Sequence, residues 1–579
     1  MKDDRGPAAF LREWGPELTL ILVTTAAGVW AAGRWIDPTG DPGVWWSIAY
    51  RMARGERCYR DIFLQYGPLS PYLLLVTGRP FGFSRLWFLL VNWIPAVAAA
   101  LLILRAARPF FTVIERLALV GLLIRFALFA PRPARMVLPY SPAAVLGLCF
   151  GISVFLLLSS RGGGSKSAYG AGILAGLALC TKQEVGVAAI LGLCAPLVVE
   201  GRRGIPRVFR CVAGFLLVAA VGAGVVLSSG ASLDSLRNDS HLWPLASVPS
   251  EWHGLFRAIA GIDTAGWRSF LWLAALALLK AVLLVALLAL CLGREKSVRR
   301  WGLTLLPLGL VVFLDLVNGR DWLPKSVPLA LSMTVAFLAG LLAWLERRQK
   351  GRDFLVGFAL FAGLVGVRTA FSWDLSSPYS GVTHLAACVT WMIFLLVLVP
   401  ARIPGGASPV PWARAAWLVV FLALGWPGAI ERIADLRETE RVSLRTPRGS
   451  IFPDARFAAA YARIGNELHA GERALFLPET HALDVLYGAV DASPLLGHLP
   501  GWLDSRAEDT LLRRFEASPP AVVVLFDRPT REFGVRPFGR GYGLKLAAWI
   551  DRRYAPVEAF PALTILRLRK NPLSSSPTH

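Results

Sequence analysis

The sequence predicts an α-helical membrane protein with many spans, followed by a small α/β domain at its C-terminal end. Of the 579 residues, 55% are apolar and only 17% are charged, whereas soluble domains carry about 25% charged residues. Apolar runs of about 20 residues, the length that crosses the hydrocarbon core of a bilayer, recur along the chain as far as residue 430. This composition excludes an ordinary soluble enzyme, and the 21 Trp and 31 Phe exclude a disordered chain.

The apolar runs predict thirteen membrane spans. Eleven single spans are expected near 16–35, 84–104, 112–130, 142–158, 206–229, 268–292, 301–317, 325–345, 354–372, 381–400 and 412–430. A further apolar stretch, 168–199, is interrupted by the polar residues 181–184, which predicts two short helices with a turn between them. A cleaved signal peptide is not expected, because no small-residue cleavage site follows the first apolar run.

The distribution of Lys and Arg predicts the orientation, because short cytoplasmic loops carry an excess of basic residues. Loops expected inside carry Arg105, Arg108, Arg161, Lys166, Arg202, Arg203, Arg207, Arg210, Arg294, Lys296, Arg299, Arg300, Arg347, Arg348, Lys350 and Arg352. The opposite loops hold most of the acidic residues. We therefore expect a protein of the inner (cytoplasmic) membrane with a cytoplasmic N-terminus and an extracytoplasmic C-terminus. The net charge of +22 is ascribed to these loops, and no nucleic-acid partner is expected.

The composition changes after residue 430, which predicts a membrane domain, 1–430, and an extracytoplasmic domain, 431–579. Helical patterns alternate with short apolar runs in the second domain, and this alternation is typical of an α/β domain with a mainly parallel sheet. The helical patterns lie at 454–469, 504–516 and 541–553, and the apolar runs at 474–477 and 521–526. Neither run is followed by GxGxxG, and the domain has no cysteine, so neither nucleotide binding nor a disulfide framework is expected.

The first long loop, 36–83, is the segment in which chemistry is expected. Val44, Ile48 and Met52 follow a helical spacing, which predicts a helix over 44–54 that lies along the membrane interface. Three aromatic residues of this helix are expected in the aromatic belt of the interface: Trp45, Trp46 and Tyr50. The apolar run 69–78 is too short to span and predicts a second interfacial helix.

Motifs of this loop resemble the first external loop of GT-C glycosyltransferases, which include the protein O-mannosyltransferases and the lipid A aminoarabinose transferase. The matching positions are Asp41, Tyr59-Arg60-Asp61 and Gly67-Pro68-Leu69. The run GLALCTK at 176–182 resembles the segment before the paired short helices of that family, and thirteen spans with an external C-terminal domain are similar to the aminoarabinose-transferase architecture. Pro42 follows Asp41 where family members often have Glu, so the resemblance supports no second carboxylate there. No cofactor is expected, and a divalent metal has no support.

The resemblance implies an inverting transfer of a sugar from a polyprenyl-phosphate carrier to an acceptor outside the cytoplasmic membrane. Nucleotide sugars are made in the cytoplasm, so an external transferase needs a donor that crosses the bilayer. Transfer to a hydroxyl requires a general base, and departure of the carrier requires positive charge at its phosphate. The expected partners are this donor, membrane lipids and a glycan, lipid or protein acceptor.

Asp41 is the predicted base. The alternative is that Asp41 caps a helix starting at Pro42, since Asp is favoured at the N-cap and Pro at the first helical position. Asp37, which also precedes a proline, competes for the same role. Asp61 is predicted to position the acceptor or the sugar, and a turn-stabilising Asp is the alternative.

Lys182 is the predicted phosphate ligand, together with Arg125 or Arg368. The turn between the two short helices places Lys182 below the outer membrane surface, where a basic side chain is costly unless it has a function. The alternatives are a pair with Glu184 or snorkelling to water, and snorkelling applies to Arg125 and Arg368 as well. The remaining predicted substrate-binding residues are Asp37, Tyr59, Tyr66 and Glu184.

Glycines in two of the predicted spans are expected to allow close approach of helices, with no ligand implied. They are Gly170, Gly172, Gly176, Gly214, Gly222 and Gly224.

Two other functions remain open. A transporter or flippase of lipid-linked sugars is the first, although transporters usually show internal repeats and several broken helices, and this chain shows one polar break and no clear repeat. An oligosaccharide polymerase or ligase is the second, but these proteins carry a large external loop late among their spans, whereas the large external piece here is the tail.

Overall fold

The computed structural model describes residues 7–31, 41–62, 64, 66–129, 136–137, 141–159, 165–232, 352–370, 389, 392–393, 396, 410–438, 441–479, 482–495, 497–500, 503, 505–530 and 535–569. Its helices in the N-terminal part are α1 (Pro7–Ala31), α2 (Asp41–Ala53), α3 (Leu69–Gly78), α4 (Arg85–Ala107), α5 (Val113–Leu123), α6 (Pro142–Ser159), α7 (Ser165–Thr181), α8 (Gln183–Val199), α9 (Ile205–Ser228), α10 (Arg352–Ala370) and α11 (Val410–Glu438). A π-helical turn, Ile124–Leu128, continues α5.

Among the described residues, three helices are long and apolar enough to cross a membrane: Arg85–Ala107, Ile205–Ser228 and Arg414–Ala434. Shorter apolar helices are Pro142–Leu158, Gln183–Val198 and Phe354–Val365. The predicted spans 268–292, 301–317 and 325–345 lie outside the described residues, as does most of 381–400. The count of thirteen spans therefore stays a prediction. So does the domain boundary, which falls within α11.

The predicted pair of short helices is confirmed by α7 and α8, which are separated by the single residue Lys182. Its backbone is extended, with φ −144° and ψ 111°, so it breaks the helix. The N–H groups of Val185 and Gly186 donate to its carbonyl and start α8 immediately. A Cβ at Gly186 would overlap the backbone of Leu179, which shows how closely the two helices meet at the turn.

Glycines on α7 and α9 allow the two helices to approach closely, as predicted. A Cβ at Gly172 would overlap the carbonyl of Cys211, and one at Gly176 would lie 2.7 Å from the Cβ of Val218. From the other side, a Cβ at Gly214 would lie 2.5 Å from the carbonyl oxygen of Tyr169. Gly224 has no described atom within 4 Å of that position, so the prediction stays open for this residue.

The C-terminal part contains β1 (Leu444–Thr446), β2 (Gly449–Ile451), α12 (Ala455–Glu467), β3 (Arg473–Leu477), α13 (Leu483–Tyr487), β4 (Val490–Asp491), α14 (Ser505–Ala517), β5 (Val522–Phe526), α15 (Leu544–Arg553), β6 (Tyr554–Phe560) and β7 (Leu563–Leu568). Strands β1 and β2 form a hairpin, and the other five form one sheet in the order β4-β3-β5-β7-β6. The helices predicted near 454–469, 504–516 and 541–553 are confirmed, as are the two predicted strands.

The sheet is mixed, so the prediction of a mainly parallel sheet is wrong. Strand β3 is parallel to β4 and β5, whereas β7 is antiparallel to β5 and β6. The reason is a hairpin that the sequence prediction did not contain: two residues connect β6 to β7, and so short a connection permits only antiparallel pairing.

Alternate residues of the central strands pack on opposite faces of the sheet, as the two-residue period of a strand requires. On β3, Ala474 and Phe476 join the large core that includes Tyr461 of α12. Leu475 and Leu477 join a second core with Phe515 and Trp549 of α14 and α15, among others. The first core is continuous with the residues of α2 and α4, so this face of the domain faces the membrane helices.

Candidate functional site

Helix α2 lies between α4 and the C-terminal domain. On one side, the indole of Trp46 donates to the carbonyl of Phe83 (2.9 Å) and stacks on Phe88 of α4 at a centroid distance of 4.8 Å. On another side, the hydroxyl of Ser47 donates to Asp484 Oδ2 of α13 (2.5 Å). The helix is thus held on two sides by contacts within the protein.

The prediction that Trp45, Trp46 and Tyr50 form an interfacial aromatic belt is wrong. All three side chains are buried within the protein. Tyr50 lies against Phe83 and under the guanidinium of Arg448, which comes from the β1–β2 hairpin. A helix at the membrane interface and a helix covered by a second domain can have the same pattern of aromatic residues. The packing of the C-terminal domain shows that α2 is of the second kind.

Asp41 is the first residue of α2, so it stands at the helix N-terminus, where the helix dipole stabilises a carboxylate. The predicted helix over 44–54 is confirmed and begins three residues earlier than expected. The side chain of Asp41 and the whole of Asp37 lie outside the described residues. The choice between them as a base therefore stays a prediction.

Asp61 stabilises a turn in the first long loop. Its Oδ2 accepts the backbone N–H of Arg57 (3.0 Å), and its Oδ1 lies 3.4 Å from the guanidinium of Arg60. Tyr59 adopts a left-handed conformation, φ 68°, and its N–H donates to the carbonyl of Ile62. This geometry corresponds to the turn-stabilising alternative for Asp61.

The same turn leads to the break between α7 and α8. The buried hydroxyl of Tyr59 donates to the carbonyl of Tyr66 (2.5 Å), and the N–H of Gly67 donates to the carbonyl of Thr181 (3.2 Å). A Cβ at Gly67 would overlap the carbonyl of Cys180, so only glycine allows this close approach. The loop and the helix break are therefore joined through their backbones.

Lys182 lies at this junction and is buried, with 2% of its surface exposed. Its Nζ is 4.9 Å from the centre of the Tyr66 ring and 3.4 Å from Glu184 Oε1. A ring face and a carboxylate both stabilise an ammonium group that is removed from water. The structure thus brings together four predicted residues, which we call the Lys182 cluster: Tyr59, Tyr66, Lys182 and Glu184. The alternative of a Lys182–Glu184 pair is present in this geometry.

Arg125 and Arg368 are placed differently. Arg125 lies in the π-helical turn after α5, a type of distortion that occurs frequently at functional sites. Its guanidinium is 4.9 Å from the ring of Phe126 and fills the space beside Gly428 of α11, where a Cβ would overlap it. Arg368 belongs to α10, and its side chain lies outside the described residues. A clamp shared between either arginine and Lys182 stays a prediction.

A second group of polar residues, which the sequence prediction missed, joins α2 to the C-terminal domain. The buried Arg51 donates through Nε and Nη2 to Glu56 Oε2 at 3.0 and 2.6 Å, and its Nη1 lies 3.7 Å from Asp491 Oδ2. We call Arg51, Glu56, Asp484 and Asp491 the Arg51 cluster. The signal for it was present in the sequence, because Asp484 and Asp491 each stand between apolar residues that form a short helix and a strand.

Burial dominates the electrostatics of the Arg51 cluster. It raises the pKa of Asp484 to about 6, against the opposing effects of the Ser47 hydrogen bond and of Arg51. It raises the pKa of Asp491 to about 7, with Arg51 again opposing and Asp484 contributing in the same direction. Arg51 therefore offsets only part of the desolvation of the two carboxylates.

Among the described residues, no group of three or more His, Cys, Asp or Glu side chains is placed to hold a metal ion.

No protein-family model and no curated protein sequence matches the chain. Solved structures do match it. ArnT from Cupriavidus metallidurans bound to undecaprenyl phosphate is 12% identical, with a TM-score of 0.50, over 97% of this chain and 100% of that one. The Archaeoglobus fulgidus oligosaccharyltransferase in complex with Zn and sulfate is 13% identical, with a TM-score of 0.49, over 94% and 72% of the two chains. The mycobacterial arabinofuranosyltransferase AftD is 12% identical, with a TM-score of 0.39, over 96% and 40%.

These neighbours are GT-C glycosyltransferases, which are polytopic membrane proteins. At such low identity the similarity concerns the fold, and the match to ArnT extends over nearly the whole of both chains. The resemblance noted in the first long loop is thereby confirmed at the level of architecture: the chain has the fold of the GT-C glycosyltransferases.

Proposed function

We propose that the protein is an inverting glycosyltransferase that moves a sugar from a polyprenyl-phosphate carrier to an acceptor on the outer side of the cytoplasmic membrane. The observation that carries this proposal is the burial of Lys182 at a helix break, in contact with Tyr66 of the first long loop. The reaction needs a positive charge for the phosphate and a carboxylate as base. The buried Lys182 supplies the first, and Asp41, at the N-terminus of α2 in the first long loop, supplies the second.

Contacts at the two ends of α4 support the predicted orientation. At its N-terminal end, Arg448 of the C-terminal domain donates to the carbonyl of Gly82. At its C-terminal end, Arg108 pairs with Glu13 near the start of α1 (2.6 Å). Because α4 has 23 residues and rises about 1.5 Å per residue, these contacts are roughly 35 Å apart. This separation supports a C-terminal domain outside the membrane and an N-terminus inside.

In the proposed reaction, Asp41 takes the proton of the acceptor hydroxyl while the acceptor oxygen attacks the anomeric carbon. The bond between that carbon and the phosphate oxygen breaks, and the carrier leaves as a polyprenyl phosphate with the bonding electrons. A single displacement inverts the anomeric configuration. The phosphate charge grows from −1 towards −2 during this step, so Lys182 stabilises the leaving group more than the bound donor.

Glu184 and Tyr66 prepare Lys182 for this role. Glu184 lies in the first turn of α8 and is partly exposed, with 28% of its side chain accessible, whereas the side chain of Lys182 is 3% exposed. A donor phosphate that reaches Lys182 can share the ammonium with Glu184, because an ammonium group has three donors. Tyr66 keeps one side of the ammonium dry, which strengthens its interaction with an incoming anion.

The test is transfer by the purified full-length protein in lipid nanodiscs, with a polyprenyl-phosphate sugar as donor. We expect Asp41→Asn to lower kcat by about 10²-fold or more, since a positioned base contributes on that order. Lys182→Ala is expected to lower kcat and weaken carrier binding. Lys166→Ala is the matched control, because Lys166 is an exposed lysine of the adjacent helix α7.

Equal turnover by wild type and Asp41→Asn would exclude Asp41 as the base. Unchanged turnover and carrier binding in Lys182→Ala would leave Lys182 as a structural charge. If the wild type neither transfers sugar nor hydrolyses any carrier-linked donor, but moves the carrier across the bilayer, the flippase hypothesis replaces the transferase.

A further inference from the structure

Several polar and charged residues join the first long loop to the C-terminal domain. None of them has a role in the transfer proposed above. Ser47 and Arg51 are spaced by four residues on α2 and therefore lie along one face of the helix, and Arg54 follows directly after its end. Ser47 binds Asp484, Arg51 faces Asp491, and Arg54 donates to the carbonyls of Gly488 and Ala489.

We propose that Arg51 is a positioning residue: through Asp484 and Asp491 it fixes α2 against the C-terminal domain, and so sets the place of Asp41 relative to Lys182. The inference rests on the proposed function, because it assigns Arg51 to the transfer that Asp41 and Lys182 would perform. It differs from that function in naming a residue that touches neither donor nor acceptor.

Distance along the helix excludes a direct role for Arg51 at Asp41. Ten residues separate the two positions, which corresponds to about 15 Å at 1.5 Å per residue. Arg51 is also buried, as are Asp484 and Asp491, so a carrier-linked sugar does not reach it in this arrangement. Its effect on the reaction must pass through the rigid body of α2.

A second face of α2, about 100° around the helix from Ser47, is held as well. Trp46 is held by the carbonyl of Phe83 and by Phe88 of α4, so α2 cannot shift towards the membrane helices. The Arg51 cluster prevents the shift in the other direction. A helix held on two faces places its first residue reproducibly, and a misplacement of about 1 Å at a reacting group can lower a rate about 10²-fold.

The charges of the Arg51 cluster determine how α2 packs against the C-terminal domain. Arg51 Nη1, Asp484 Oδ1 and Asp491 Oδ2 are buried and have no hydrogen-bond partner in the described part of the chain. The ion pair with Arg51 is therefore the principal interaction available to Asp491 Oδ2, whereas Asp484 is bound by Ser47 and interacts with Arg51 at longer range. Removal of either partner leaves a buried group that must find water, and α2 must move to admit it.

The experiment compares wild type with Arg51→Lys and Arg51→Met in the nanodisc transfer assay. Lys545→Ala is the matched control, because Lys545 forms an ion pair with Asp509 (2.7 Å) that is exposed on the same domain. Hydrogen exchange of the segment 44–53 is measured on the same samples. It reports the docking of α2 without any need for activity.

We expect Arg51→Met to lower kcat about 10²-fold with the donor KM changed less than about 3-fold, and Arg51→Lys to restore part of kcat. Faster exchange in 44–53 should accompany the loss, and Lys545→Ala should match wild type in every measurement. If Arg51→Met does not fold, Arg51→Lys gives the test, because it keeps the charge without the planar fork of the guanidinium and should lower kcat by a smaller factor.

An unchanged kcat in a folded Arg51 variant, or a reduced kcat with normal exchange of 44–53, would overturn the positioning role. A fall in kcat/KM that arises from donor KM alone would overturn it as well. Absence of transfer by the wild type is a different result: it contradicts the proposed function and removes the reaction that Arg51 would assist.

Discussion

Two groups of ion pairs, each with buried and partly exposed members, lie at opposite ends of α4, and they are built differently. The first is the Arg51 cluster. The second, which we call the Glu115 cluster, joins α1, α5 and α11 and contains Glu13, Glu17, Glu115, Arg108, Arg116 and Arg414. In the Glu115 cluster each guanidinium has a carboxylate of its own, whereas in the Arg51 cluster one guanidinium faces three carboxylates.

The distances show the same contrast. Arg414 donates to both oxygens of Glu115 at 2.8 and 2.6 Å, and Arg116 donates to Glu17 at 2.9 Å. Arg51 reaches Glu56 at 2.6 Å but Asp491 only at 3.7 Å. Matched pairs stabilise one arrangement of helices, while a group with excess carboxylate depends on proton uptake. We infer that the Glu115 cluster stabilises the helix bundle at every pH near neutrality. The stability of the Arg51 cluster, in contrast, changes with pH.

The largest effect is expected from breaking a matched pair. Arg116→Met leaves the carboxylate of Glu17 buried without its guanidinium, and we expect a loss of about 3–5 kcal/mol in the free energy of unfolding. Thermal unfolding in a mild detergent measures it. Arg207→Met is the control, since the Arg207–Glu200 pair is more exposed, at 24% and 27%, and should cost about 1 kcal/mol or less. Equal losses would refute the distinction.

A smaller effect, with a pH dependence, is expected at the Arg51 cluster. The pKa of Asp484 is raised to about 6 and that of Asp491 to about 7, above the ordinary value of 3.8. The folded protein then binds more protons than the unfolded chain between those values, so the contribution of the cluster is complete below about pH 4 and is lost as the pH rises through 6 to 7.

The measurement is hydrogen exchange of 44–53 between pH 5 and pH 8, corrected for the intrinsic exchange rate, with Asp491→Asn as the comparison. Protection should fall with rising pH in the wild type and should change less in the variant. Burial lowers the pKa of His498 to about 3 and raises that of Cys58 to about 12, so neither of these two groups near Arg51 titrates in this range. Identical pH profiles would contradict the assignment.

The smallest effect is expected at the edge of the Glu115 cluster. Thr112 and Glu115 form a capping box at the start of α5, in which each side chain accepts the backbone N–H of the other residue. Thr112→Ala removes one of these bonds, and we expect a loss of about 1 kcal/mol because Arg414 still holds Glu115. Chemical denaturation checks it; a loss as large as that of Arg116→Met would show that the cap, and not the ion pairs, maintains this end.

Much of the fold followed from local patterns in the sequence. The break at Lys182, the short helix 69–78 and the helices and central strands of the C-terminal domain were all predicted, because each depends on residues that are neighbours in the chain. The glycine contacts between α7 and α9 were predicted for the same reason. The β6–β7 hairpin was missed, because the two strands mix Pro, Glu and Arg with few apolar residues.

The candidate site was predictable only in part. Lys182, Tyr66 and Glu184 were named from their positions, and the structure brings them together. The contacts of Tyr50 with Arg448 and of Arg51 with Asp491 were not predictable, because both depend on the C-terminal domain, which is distant in the sequence. Helical periodicity shows which residues share a face, but it does not show whether lipid, water or protein covers that face.

The hydrogen bond between Ser47 and Asp484 joins residues that are 437 positions apart, so it forms only late in the synthesis of the chain. At a synthesis rate of about 5–20 residues per second, roughly 20 to 90 s pass between the emergence of α2 and that of its partner. During this interval α2 lacks the contacts that Ser47 and Arg51 make with the C-terminal domain. The final position of α2 is therefore reached only late in synthesis.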